Sequence, residues 1–150
     1  MDTILVVKFE LKNFIFLFLS FIFFTIFGTL SHEFGHYIVA KAKGYSARVS
    51  YGYATWEDKK NQPFIDSTYE KYYREIEANR SFPEKKKYDQ VLSKQSNDGF
   101  WITWGGPIQT MLTGTIGFWL LLLQRRKMIE TQRINLYQWL LVFLSLFWLR

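Results

Sequence analysis

Two stretches of this chain carry no charge at all, residues 13–32 and 99–124. Residues 41–99, between them, hold 12 Lys and Arg and 9 Asp and Glu. This segregation limits the possible folds more than any other feature. A uniform globular domain mixes its charged and apolar residues, whereas a membrane protein with one polar insert separates them. The mean hydropathy of −0.08 conceals the separation. At 150 residues a single membrane domain over 1–150 is expected. The chain has no cysteine, which excludes disulfides, thiolate metal sites and a Cys nucleophile. The net charge of +6 comes from basic residues that flank apolar runs and form no stripe of their own. That pattern suits anionic membrane lipids as partners and argues for no nucleic acid.

Residues 14–30 include seven Phe, and the pattern continues without proline until Lys41, Lys43 and Gly44. One transmembrane helix over 11–42 is expected, long enough to cross a core of about 30 Å at about 1.5 Å per residue. A secretory signal peptide would be shorter and end in a small-residue cleavage site, which Gly28-Thr29-Leu30 matches poorly. Residues 43–99 form a polar, interfacial insert. Within it, Tyr45, Ala47, Val49, Tyr51 and Tyr53 alternate with polar residues or glycine, the period of a short β element, a strand or hairpin. Residues 56–63 are expected as a loop. Ser67 with Glu70 and Ser81 with Glu84 fit capping boxes that would open two amphipathic helices. Their apolar faces would be Tyr69, Tyr72, Tyr73 and Ile76, then Tyr88, Val91 and Leu92. Such a Tyr-rich face suits either a small core or a lipid interface. A second transmembrane segment over 100–123 follows, closed by Arg125, Arg126 and Lys127. Residues 134–150 read as the start of a third transmembrane helix that continues past Arg150. The expected fold class is mainly α, a polytopic membrane protein with two to three transmembrane helices.

The chain has only two histidines, and both lie in His32-Glu33-Phe34-Gly35-His36. Residues four apart share a helix face, so both imidazoles can reach one ion. Zinc accepts His nitrogen and keeps an open position for water in catalytic sites. Glu33 lies near enough to take a proton from that water. Ionisable residues in an otherwise uncharged membrane helix are costly, which points to function over a chance match. Thr25, Thr29, His32, His36 and Ala40 share one face, leaving the Phe-rich side for lipid; Gly28 and Gly35 would let another helix approach. The second segment opens with Gly105-Gly106-Pro107-Ile108-Gln109-Thr110, and Gly106, Thr110 and Gly114 form a small-residue face. Pro107 is expected to break the helical ladder or to start a helix.

This combination resembles the site-2 protease family of intramembrane zinc metalloproteases. The resemblance covers 14–123, the N-terminal part of a member. It rests on His32-Glu33-Phe34-Gly35-His36, on the run 37–44, on the strand-like stretch after it and on Gly106-Pro107. It implies Zn2+ held by His32 and His36, Glu33 as catalytic acid/base, and transmembrane protein substrates cleaved in or near a membrane span. It also implies substrate positioning by Gly106, Pro107, Gln109 and Thr110. Thr110 stands where the family has Asn, and the family's third ligand is an Asp in a later helix. Asp98-Gly99 precedes the Gly-Gly-Pro element, so Asp98 is not assigned as that ligand, which is expected beyond Arg150; the 150 residues alone are expected to be inactive. Lys41, Lys43 and Arg48 follow the first helix with no acid among them. The positive-inside rule then places the zinc toward the cytoplasmic side of a bacterial inner membrane, although Arg125, Arg126 and Lys127 pull the other way. Two further functions fit the same residues: a non-catalytic membrane scaffold or binding protein, and a zinc hydrolase acting on something other than a peptide.

Overall fold

The computed structural model describes residues 10–131 and 134–149. It is mainly helical. Helix α1 spans Leu11–Ala42, as its uninterrupted apolar pattern requires. Strands β1 (Ser46–Ser50) and β2 (Tyr53–Glu57) form an antiparallel hairpin in which Ser46 faces Glu57 and Ser50 faces Tyr53. Gly52, at φ 84°, takes the left-handed turn position that side chains resist. Helices α2 (Gln62–Glu77), α3 (Lys85–Leu123), α4 (Arg125–Thr131) and α5 (Leu136–Ser145) follow, and a 3₁₀ turn covers Leu146–Leu149. Two helices, α1 and α3, are long and apolar enough to cross a membrane.

Two compact units divide the chain: Thr29–Thr110, and Met1–Gly28 with Met111–Arg150. In the first, Ala40, Tyr45, Ala47 and Ile102 form one buried cluster and Ile65, Phe82 and Tyr88 another. Burying an aromatic side chain of this size contributes about 1.5–3 kcal/mol. Part of the Tyr-rich faces packs into a small core. Tyr72 stacks on Phe82 at 4.9 Å and Tyr88 meets the same ring edge-on at 6.0 Å, while Tyr69 and Tyr73 are exposed. In the second unit Phe24 meets Phe143 at 5.9 Å and Phe147 at 6.2 Å. Part of the Phe-rich face expected to meet lipid is therefore covered by protein. Phe14, Phe18 and Phe23 remain exposed.

Several local expectations need correction. No boundary separates the insert from the second segment: α3 is one helix of 39 residues through Gly99 and Pro107. Asp98 within it is buried and paired with Lys43. Pro107 stands inside the helix and costs one ladder hydrogen bond without ending it. Trp56 and Glu57 end β2, and Gln62 and Pro63 open α2, which shortens the expected loop at both ends. Ser67 lies within α2, with its hydroxyl donating to the Phe64 carbonyl, and caps nothing. In the third apolar stretch, α5 covers 10 residues, about 15 Å of rise, before the 3₁₀ turn. Arg150 lies outside the described residues.

Asp58 begins the turn into α2. Its backbone carbonyl accepts from Gln62 N at 2.9 Å, and its carboxylate accepts from Asn61 N at 3.1 Å and Asn61 Nδ2 at 2.7 Å. Gln95 of α3 reaches the same carboxylate at 3.5 Å. Burial pushes the Asp58 carboxyl up, but the Asn61 and Gln95 hydrogen bonds outweigh it and hold it below its ordinary value of 3.8. The stability it contributes is therefore full above about pH 4 and falls away as pH drops through the lower folded value. Asp58→Ala is expected to destabilise the full-length protein by about 1–3 kcal/mol at neutral pH and less in acid. Unfolding in detergent at both pH values checks this; equal stability of the two proteins at neutral pH contradicts it.

Candidate metal centre

In the unit 29–110, α1 and α3 run antiparallel along a seam made of short residues. A Cβ on Gly105 would lie 2.6 Å from the Gly35 carbonyl oxygen, and one on Gly35 would lie 2.8 Å from the Gly105 carbonyl carbon. Only two glycines allow these backbones to approach so closely. Polar pairs continue the seam in both directions. Toward the start of α1, Gln109 Nε2 donates to Ser31 Oγ at 2.6 Å. Toward its end, the buried Asp98 carboxylate meets Lys43 Nζ at 3.0 Å and accepts from the Tyr45 hydroxyl at 3.4 Å. Burial, with Asp98 beside it, pushes the Tyr45 phenol up to about 12, so it stays a donor.

The histidines sit between these anchors. His32 Nε2 and His36 Nε2 are 3.2 Å apart. Two nitrogens bound to one tetrahedral ion at about 2.0–2.1 Å would stand roughly 3.3 Å apart. The His36 Nδ1–H donates to the Ile102 carbonyl at 2.7 Å. The Gly106 amide lies 3.4 Å from the same Nδ1. One nitrogen cannot both donate and accept, and the shorter contact decides that Nδ1 carries the proton. His36 Nε2 then keeps its lone pair for a ligand, as is usual for metal-binding histidines. Glu33 lies half-buried beside His32 in sequence.

Gly106 faces both imidazoles. A Cβ built on it would fall 2.6 Å from His32 Nε2 and closer still to His36 Nε2. Without a side chain there, both Nε2 atoms approach the Gly106 backbone, and their 3.2 Å separation fits one metal ion. Among the described residues no third His, Cys, Asp or Glu completes a metal-binding group with them. Pro107 follows Gly106 in the helix and is half-buried. Thr110, 1% exposed, turns its hydroxyl back to the Pro107 carbonyl at 2.9 Å. Thus Gly106 and Gln109 take part in the α1–α3 packing, while Thr110 bonds back along its own helix.

Sequence reasoning missed the Ile102 carbonyl, because a backbone acceptor leaves no trace in residue type. It also missed the Asp98–Lys43 pair. The available signal was opposite charges at the same end of two antiparallel apolar helices. No family model, curated protein or solved structure matches this chain.

Gly106→Ala is expected to weaken binding of Co2+ or Zn2+ to the His pair at least about tenfold. Helix content should hold, because Ala favours helix over Gly. Titration of the full-length protein with Co2+, followed by visible absorbance, checks this; unchanged affinity contradicts it.

Proposed function

We propose that this chain carries part of the active site of a zinc-dependent endopeptidase embedded in a membrane through α1 and α3, acting on transmembrane protein substrates. The observation that carries this reading is the pair of Nε2 atoms 3.2 Å apart, set against the Gly106 backbone. His32 and His36 would hold Zn2+ through these atoms, with the remaining positions filled from elsewhere. Zinc, when bound, supplies Lewis acidity that polarises a scissile carbonyl and acidifies water. Glu33 then handles the proton: its carboxylate takes one from water and delivers it to the leaving amine nitrogen. The Ile102 carbonyl holds the His36 ring in its donor tautomer throughout. Gly106 lets both imidazoles approach α3, and Gln109 ties that helix to Ser31 of α1.

The setting supports the same reading. Exposed Phe14, Phe18 and Phe23 on α1, and Phe118 and Trp119 on α3, suit surrounding lipid. A multi-pass protein of the bacterial inner membrane with its zinc toward the cytoplasm accounts for the basic residues after α1. The resemblance of His32–His36 and Gly106-Pro107 to the site-2 protease family points to the same chemistry.

The test uses full-length protein in detergent or liposomes, a reporter membrane span, and metal analysis of the same preparations. Single His32→Ala and His36→Ala variants should lose both stoichiometric zinc and cleavage. Glu33→Gln should retain zinc while cleavage falls by at least about 10²-fold. Cleavage by Glu33→Gln at the parent rate would overturn the acid/base role, and a zinc-loaded protein that cleaves no membrane span would favour the scaffold alternative.

A further inference from the structure

Asp98 is 3% exposed, and a carboxylate so deep in a helix is costly unless paired and hydrogen-bonded. It has partners from beyond the end of α1: Lys43 Nζ at 3.0 Å and the Tyr45 hydroxyl at 3.4 Å. Lys94, one turn earlier on α3, lies 3.8 Å away but cannot join the two helices. One turn after Asp98 on the same helix comes Ile102, 0% exposed, whose carbonyl accepts from His36 Nδ1 at 2.7 Å. Its neighbours Ala40 and Tyr45 share its buried cluster. The Lys43–Asp98–Tyr45 contacts thus bear directly on how far α3 is slid along α1. A slide of one residue's rise, about 1.5 Å, would lengthen and tilt the 2.7 Å hydrogen bond to the Ile102 carbonyl and so weaken it.

We infer that Asp98, clamped by Lys43 and Tyr45, is a positioning residue that holds the Ile102 carbonyl against His36 and so fixes the tautomer that leaves Nε2 open to a metal ion. The inference rests on the proposed zinc reading for its metal readout, but not for its tautomer readout. Asp98 acts through Ile102 and His36 and is not itself a ligand, being committed to Lys43. Sequence order alone leaves Asp98 without a role; the fold supplies one.

The experiment takes full-length parent, Asp98→Asn, Lys43→Met, Lys43→Arg and the charge-swapped Lys43→Asp/Asp98→Lys protein in micelles. Zn2+ affinity is measured by chelator competition, and the His36 tautomer by 15N NMR of the metal-free protein. Asp98→Asn and Lys43→Met should each weaken Zn2+ binding about 10–100-fold and give His36 a mixture of tautomers. Lys43→Arg should match the parent, and the charge swap should restore both properties in large part. A clamp that only stabilises the fold would change unfolding but leave the tautomer alone. Parent-like tautomer and affinity in folded Lys43→Met would overturn the inference, even if Asp98→Asn fails to fold. If the parent binds no Zn2+, the zinc reading fails, and the tautomer arm still decides the clamp.

Discussion

The contact between Gly35 and Gly105 sets the geometry of everything near the histidines. With no Cβ on either side, the backbones of α1 and α3 come within a distance that a single methyl group would prevent. That approach places the Ile102 carbonyl beside His36 and the bare face of Gly106 beside both imidazoles. Close packing and site construction are one arrangement here. Helices held apart by larger residues would leave His36 Nδ1 without its carbonyl and make Gly106 irrelevant. Small residues are also what allow apolar helices to associate where burial of surface gives little driving force.

The polar groups along this seam each answer a buried need. Ser31 with Gln109, His36 with Ile102, and Lys43 and Tyr45 just past α1 with Asp98 form successive pairs onto α3. A buried polar group without a partner costs about 1–3 kcal/mol, more if it is charged. Each pair thereby penalises a slipped register between the helices. The apolar contacts of Ala40, Tyr45 and Ile102 bring the helices together, and the polar pairs select one alignment. In the proposed mechanism that alignment holds the two Nε2 atoms at a spacing one ion can bridge, which is preorganisation in the usual sense.

How much of this was legible depended on whether the controlling interaction was local. Helix α1 could be read over 11–42 because its apolar pattern and its Lys41, Lys43, Gly44 ending are both contiguous. The hairpin followed from the alternation at Tyr45, Ala47 and Val49. That one helix runs from the insert into the second apolar segment was not legible: Asp98 is paired with Lys43, 55 positions earlier, and no local pattern reveals such a pairing. The start of α2 was misplaced because Asp58 and Asn61 build the turn before it, while Ser67-x-x-Glu70 only mimics a cap. Within the candidate site, His32, Glu33 and His36 stood out by residue type and spacing. Gly106 stood out by its Gly-Pro context, although its position between the two imidazoles required the fold. Ile102 contributes only a carbonyl, which any residue type would carry.

The central claim is that His32 and His36 together hold one zinc ion. X-ray absorption at the zinc edge, on purified full-length protein, tests it most directly. The account predicts about one zinc per chain with two imidazole nitrogens at about 2.0–2.1 Å, and loss of that shell in His36→Ala. A protein that carries no zinc, or whose zinc shell shows no imidazole and survives His36→Ala unchanged, would contradict it.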